Sequence, residues 1–136
     1  MNIKWNEWSN KTSVTDSLSE LVGETLLSVD GLEKNSFEVV FITQSGKALM
    51  LYHEQGCCES VDLEDFESDC GDFIGAKVLS FEEVSSEQKN NEYGDSDTWT
   101  FYKMETDKGG LFMRWHGSSN GYYSESVDIK GGVVLQ

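Results

Sequence analysis

One stretch of this chain occurs twice. His53-Glu-Gln-Gly-Cys-Cys-Glu-Ser-Val-Asp-Leu63 returns, reworked, as His116-Gly-Ser-Ser-Asn-Gly-Tyr-Tyr-Ser-Glu-Ser-Val-Asp-Ile129. Each copy runs from a histidine through a glycine and a doubled residue to Glu-Ser-Val-Asp and an aliphatic side chain. The copies sit inside a longer pattern. Leu21-Val-Gly-Glu-Thr-Leu-Leu-Ser-Val29 aligns with Phe73-Ile-Gly-Ala-Lys-Val-Leu-Ser-Phe81, and Thr43-Gln-Ser-Gly46 with Thr106-Asp-Lys-Gly109. Both histidines fall seven residues after their glycine. Several matches in one order point to an internal duplication, with repeats at about 14–63 and 64–130 inside a single domain, 1–136. Two like halves favour packing about a pseudo-two-fold axis.

Each half reads as a helix followed by four strands. Val14, Leu18, Leu21 and Val22 have helical spacing, with Ser13 or Thr15 as cap and Gly23 as stop, which predicts a helix at about 15–22. Leu63, Phe66, Cys70 and Phe73 fall at i, i+3, i+7 and i+10 and predict a second, at about 63–73. Strand signals occur at Thr25–Val29, Phe37–Thr43, Ala48–His53 and Cys58–Leu63, and again at Lys77–Val84, Thr98–Glu105, Leu111–His116 and Tyr122–Ile129. Ser85–Asp97 reads as an exposed loop. The N-terminal arm carries Trp5 and Trp8, and the tail from Gly131 is uninformative. The expected class is α+β, dominated by antiparallel sheet and built from two helix-plus-four-strand halves.

Charge narrows the function. The chain carries 25 acids against 10 bases, a formal net charge of −15. A surface of that sign argues against direct contact with nucleic acid or an anionic membrane and favours a basic protein partner or a cation, or simply high solubility. No apolar run approaches the ~20 residues that span a bilayer, and the N-terminus lacks a signal-peptide pattern. The cysteines, Cys57, Cys58 and Cys70, form no disulfide framework, and adjacent cysteines are not expected to bond each other. A reducing cytoplasm is the expected compartment.

Several clusters could carry chemistry. His53, Cys57, Cys58 and His116 include zinc-type ligands, but residues 57 and 58 on a strand point to opposite faces, and the second copy has Tyr122 and Tyr123 there. The expected role of the doubled residues is packing. A Cys57–His53 nucleophile lacks an orienting third group, and the surrounding negative charge disfavours a thiolate. Glu59, Asp62, Glu125 and Asp128 could do acid–base work, but the expectation is capping, with Asp62 before the second helix. Between Lys47 and Lys77 there is no Lys or Arg, while Glu54, Glu59, Asp62, Glu64, Asp65, Glu67, Asp69 and Asp72 are acids. Most of the aromatic residues Trp99, Phe101, Tyr102, Phe112 and Trp115 are expected in the core, with Tyr122 and Tyr123 as interface anchors.

At Tyr52-His53…Cys57-Cys58-Glu59-Ser60-Val61, Thr98-Trp99-Thr100-Phe101-Tyr102-Lys103 and Ser119-Asn120-Gly121-Tyr122-Tyr123-Ser124-Glu125-Ser126-Val127, the chain resembles a family of small uncharacterised phage and bacterial proteins. The resemblance spans about residues 17–129. That family is a domain of unknown function, so the resemblance brings no catalytic residues and implies a phage or mobile-element setting. The composition is similar to acidic phage inhibitors of nucleic-acid-handling defence proteins, anti-CRISPR proteins among them.

Together these readings predict a non-enzymatic, cofactor-free cytoplasmic protein, monomer or homodimer, acting in a bacterial host cell. It is expected to bind and inhibit a basic host protein, such as a CRISPR effector or another nuclease. The expected contact residues are Glu59, Asp62, Glu64, Asp65, Glu67, Asp69, Asp72, Trp115, Tyr122 and Tyr123. The alternative is a metal- or ligand-binding domain using His53, Cys57, Cys58 and His116.

Overall fold

Reciprocal exchange of strands organises the molecule. A computed structural model describes residues 2–5, 14–69 and 71–135. Its elements are β1 (Asn2–Trp5), α1 (Val14–Ser19), β2 (Leu26–Asp30), β3 (Val39–Thr43), β4 (Lys47–Tyr52), β5 (Ser60–Ser68), β6 (Val78–Asn90), β7 (Ser96–Thr106), β8 (Gly109–Ser119) and β9 (Asp128–Leu135). A first sheet has the order β1-β9-β4-β3-β2 and a second the order β5-β8-β7-β6. All strand pairings are antiparallel. Each half forms a three-stranded meander and then sends its last strand to the other sheet. β5 leaves the first half to pair with β8, and β9 leaves the second half to pair with β4.

Where the halves meet, their backbone hydrogen bonds are reciprocal. Gly23 N–H donates to the Val78 carbonyl, and its counterpart Gly75 N–H donates to Leu26, each at 2.8 Å. Leu26 N–H bonds Ala76 O, and Val78 N–H bonds Glu24 O. Thr25 and Lys77 pair between these bonds, so the pseudo-two-fold axis passes there. Gly23 and Gly75 have φ of 88° and 81°, backbone angles that glycine adopts without steric cost. The buried side chains of both halves form one continuous cluster. Phe41 of β3 meets Phe81 of β6 edge-on across the sheets, with centroids 5.3 Å apart.

The α+β expectation is overturned: the protein is nearly all β. Among the described residues the one helix is α1, six residues long, rather than the expected 15–22. It gives way to i→i−3 turns through Val22, which place Leu18 and Leu21 in the core and leave Val22 exposed. Ser13, Trp8 and Cys70 lie outside the described residues.

The helix expected at 63–73 is instead strand β5. A β-bulge between Leu63 and Asp65 adds one residue to the two-residue period. Core-facing Leu63 and inward Phe66 therefore stand three apart, which imitates helical spacing. The same device recurs as a matched pair: bulges at Leu26/Ser28 and Val78/Ser80 turn Leu26 and Val29, and Val78 and Phe81, toward the core. With no second helix, Asp62 caps nothing and lies within β5.

Three boundaries also differ. Ser85–Asp97 is largely strand, because β6 runs to Asn90 and β7 starts at Ser96, around a turn closed by Asn91 N–H to Asp95 O. Residues 122–127 lie outside β9, which starts at Asp128, and the tail belongs to that strand. The N-terminal segment is β1, paired with β9.

Candidate functional site

The outward side of the second sheet brings charged and aromatic groups together. Its register fixes the layout. On β5 and β8, Asp62 stands opposite His116, Asp65 opposite Arg114 and Glu67 opposite Phe112. On β8 and β7, His116 stands opposite Trp99, Arg114 opposite Phe101 and Phe112 opposite Lys103. Side chains alternate along a strand, so these residues share one face while Leu111, Met113, Trp115, Tyr102 and Met104 fill the core on the other.

This face has an aromatic centre and an acidic margin. Phe101 and Phe112 pack with centroids 6.0 Å apart, and Phe112 remains 38% exposed. Trp99 stacks on His116 at 5.1 Å, and its indole N–H donates to Glu64 at 2.9 Å. His116 Nε2 is 2.9 Å from Asp97. A hollow of about 150 Å³ lies between Asp65, Phe66, Glu67, Phe101, Phe112 and Arg114. Arg114 reaches Glu64 at 3.6 Å and Asp65 at 3.8 Å, and Lys34 reaches Asp65 at 3.6 Å. These pairs are solvent-exposed, so each is worth at most about 1 kcal/mol and is screened by salt. Glu67 is exposed, and Asp69, just beyond β5, accepts a hydrogen bond from Gly110 N–H at 3.1 Å. Asp72 accepts from Ile74 N–H in the following turn.

Two residues expected at this surface are elsewhere. Trp115 is 1% exposed, because its position alternates with Arg114 and His116 and faces the core. Glu59 is buried where β4 crosses over to β5, paired with His53: His53 Nε2 lies 2.7 Å from Glu59 Oε2, and Nδ1 lies 2.7 Å from the carbonyl oxygen of Ser126. Both ring nitrogens therefore face acceptors, the arrangement of an imidazolium. Burial opposes that charge, but the bonds to Glu59 and Ser126 and the nearby Asp128 outweigh it, and the His53 pKa is raised above 6.5. Glu59 is drawn down to about 2, first by the His53 bond and then by the N–H groups of Cys57 and Gly56. This carboxylate ties down its own crossover.

The residues considered for metal binding are not brought together. His53 is committed to Glu59 and Ser126, while His116 lies on the outer face against Trp99. Cys57 and Cys58 form a disulfide, contrary to expectation. They lie in the crossover rather than in a strand, so alternation does not force their side chains apart. Among the described residues no group of three or more His, Cys, Asp or Glu could hold a metal ion. Tyr122 is exposed and packs edge-on against Tyr123 at 5.1 Å, in the second crossover and away from the acidic strand. Asp128 accepts from Glu54 N–H at 2.7 Å and so fastens one crossover to the other.

Trp99, Phe101, Phe112 and Arg114 were not among the expected contact residues. Parity could have found them. Trp99 and Phe101 share their alternation with Asp97, Lys103 and Glu105, and Phe112 shares its alternation with Arg114 and His116. A strand face that mixes aromatics with charges faces water.

A family model described as a domain of unknown function (DUF7448) matches residues 19–129. The match runs from the end of α1 to the first residues of β9 and so takes in both crossovers. No curated protein and no solved structure matches the chain.

Proposed function

The chain belongs to the DUF7448 family, and from that premise we propose that it is a non-enzymatic binding protein whose outward second-sheet face docks on a basic protein. We infer a nucleic-acid-handling partner, a nuclease or similar host protein, which the bound module blocks by covering its cationic groove.

The observation that carries this reading is the layout of one face. Asp62, Glu64, Asp65, Glu67 and Asp69 follow one another along and just beyond β5, and an aromatic strip of Trp99, Phe101 and Phe112 lies beside them. Outward residues on a strand recur about every 6.8 Å, so the carboxylates form a row rather than a point charge. Such a row accelerates encounter with a cationic surface and gives specificity, while aromatic groups supply contact area that salt does not weaken. The formal charge of −15 extends the attraction beyond the contact itself.

The test is capture from a bacterial lysate by immobilised wild type and by a variant carrying Asp62→Lys, Glu67→Lys and Asp69→Lys. The expected result is a basic nucleic-acid-binding protein held at low salt by the wild type, released at high salt and not held by the variant. Equal retention by both proteins, or retention only of acidic proteins, would overturn the reading.

A further inference from the structure

The second half carries a cleft walled by its longer strands. β6 and β7 run for 13 and 11 residues, against 5 each for their counterparts β2 and β3. The extra length projects away from the apolar core, and its inward side is polar: Ser86 stands opposite Thr100, and Gln88 opposite Thr98. The second crossover, residues 121–127, forms the facing wall. It lies so close to β8 that a Cβ on Gly117 would sit 2.6 Å from the Glu125 carbonyl oxygen. A cleft of about 560 Å³ remains between the walls. Its lining includes Glu83, Gln88, Thr100, Tyr123 and Glu125, and no Lys, Arg or His.

One group in that lining lacks the counter-charge its chemistry calls for, and a second offers an open hydroxyl. Glu125 is 7% exposed, and its carboxylate receives only hydroxyl donors: Ser96 at 3.0 Å, Thr98 at 2.6 Å and Ser119. Its counterpart Glu59 has His53 six residues earlier, whereas six residues before Glu125 stands Ser119. Among the described residues no base pairs with Glu125. A buried carboxylate without a counter-charge is costly. Thr100 is 4% exposed, lines the cleft and makes no side-chain hydrogen bond with any described residue.

We propose that this cleft is a binding site for a guanidinium or ammonium group. Such a group is a pure hydrogen-bond donor. The Glu125 carboxylate, with Glu83 across the cleft, supplies the counter-charge, and the Thr100 hydroxyl and Gln88 carboxamide oxygen supply neutral acceptors. The ring of Tyr123 offers a surface on which a planar cation can lie. The volume falls within the roughly 300–1,000 Å³ typical of small-ligand sites. The cleft is on the inward side of the second sheet, so this site is independent of the docking face proposed above. The cation comes from a free small molecule or from a basic side chain of a partner protein.

The experiment is a two-dimensional NMR titration of the full chain with methylguanidinium, with L-arginine and with a capped Gly-Arg-Gly peptide. Urea serves as the neutral isostere. The expected result is saturable binding of the cations, with shifts confined to Gln88, Thr98, Thr100, Tyr123 and Glu125. Affinity should fall about tenfold or more in Glu125→Gln, as for loss of a charge-assisted hydrogen bond. Glu83→Gln and Thr100→Val, which change the lining without touching the Glu125 hydroxyl contacts, should each weaken binding several-fold and keep the question open should Glu125→Gln not fold. Binding of the capped peptide as tight as that of arginine assigns the cation to a partner's side chain. Binding of arginine alone assigns it to a small molecule. Shifts that fall on Glu64 and Glu67 instead, no saturation, or equal binding of urea would overturn the proposal.

Discussion

Glu59 and Glu125 occupy equivalent places, each just before the Ser-Val-Asp segment that leads from a crossover into an exchanged strand. Their surroundings differ in kind. Glu59 meets a histidine and two backbone N–H groups, so its charge is answered within the protein. Glu125 meets hydroxyls alone and opens beside a cleft. The strand plan of the two halves is the same down to paired bulges, yet one crossover is closed on itself and the other is unfinished. Duplication here leaves architecture symmetric and concentrates the difference where a ligand could act.

The sharpest way to probe that symmetry is to remove matched core residues. Phe81 and Val29 are counterparts, and Phe81 alone reaches Phe41 in an aromatic pair. Phe81→Ala is expected to cost about 3–5 kcal/mol, the usual range for a buried Phe. Val29→Ala, at a partly buried site, is expected to cost roughly 1 kcal/mol. Urea unfolding measures both, and equal losses would show that the halves do not share the core unequally.

A smaller effect separates the crossovers by pH. Glu59 titrates near 2 rather than 4.5, so it contributes stability above pH 4.5 and loses it as the pH falls toward 2. His53 titrates above 6.5, so its contribution is present below 6.5 and is lost as the pH rises through its folded value. Melting temperature followed from pH 2 to 9 should decline at both ends. Glu59→Gln should flatten both declines. The smallest change is at the rim of the outer face. Glu67→Lys should shift stability by no more than about 0.5 kcal/mol while weakening capture of a basic partner, measured by unfolding and by retention on beads.

Much of this molecule is written in the residue pattern, but not the part that places it in space. The duplication follows from the matched motifs, β3 from the β-branched run Val39–Thr43, and β4 from the apolar run Ala48–Leu51 after the turn at Gly46. The bulge in β5 made a strand look helical, because Leu63 and Phe66 are three apart in sequence and yet on one side of the sheet. The β6–β7 extension resembled a loop because its inner side lacks the apolar residues that mark a buried strand face. The exchange of β5 and β9 between sheets was invisible, since periodicity identifies elements and not their neighbours. At the site, the acidic row was legible from composition, whereas the burial of Glu59 depends on His53 and on backbone groups that come together only at the crossover.

The exchanged strands also set an order of events during synthesis. β4 pairs on one side with β3, which precedes it directly, and on the other with β9, which begins 76 residues after Tyr52. Until β9 leaves the ribosome, the hydrogen-bonding edge of β4 stays open, with Leu49 and Leu51 at hand. A nascent chain stalled before Asp128 would carry an unpaired, apolar edge suited to joining another unfinished chain, so β9 acts as a safeguard against aggregation.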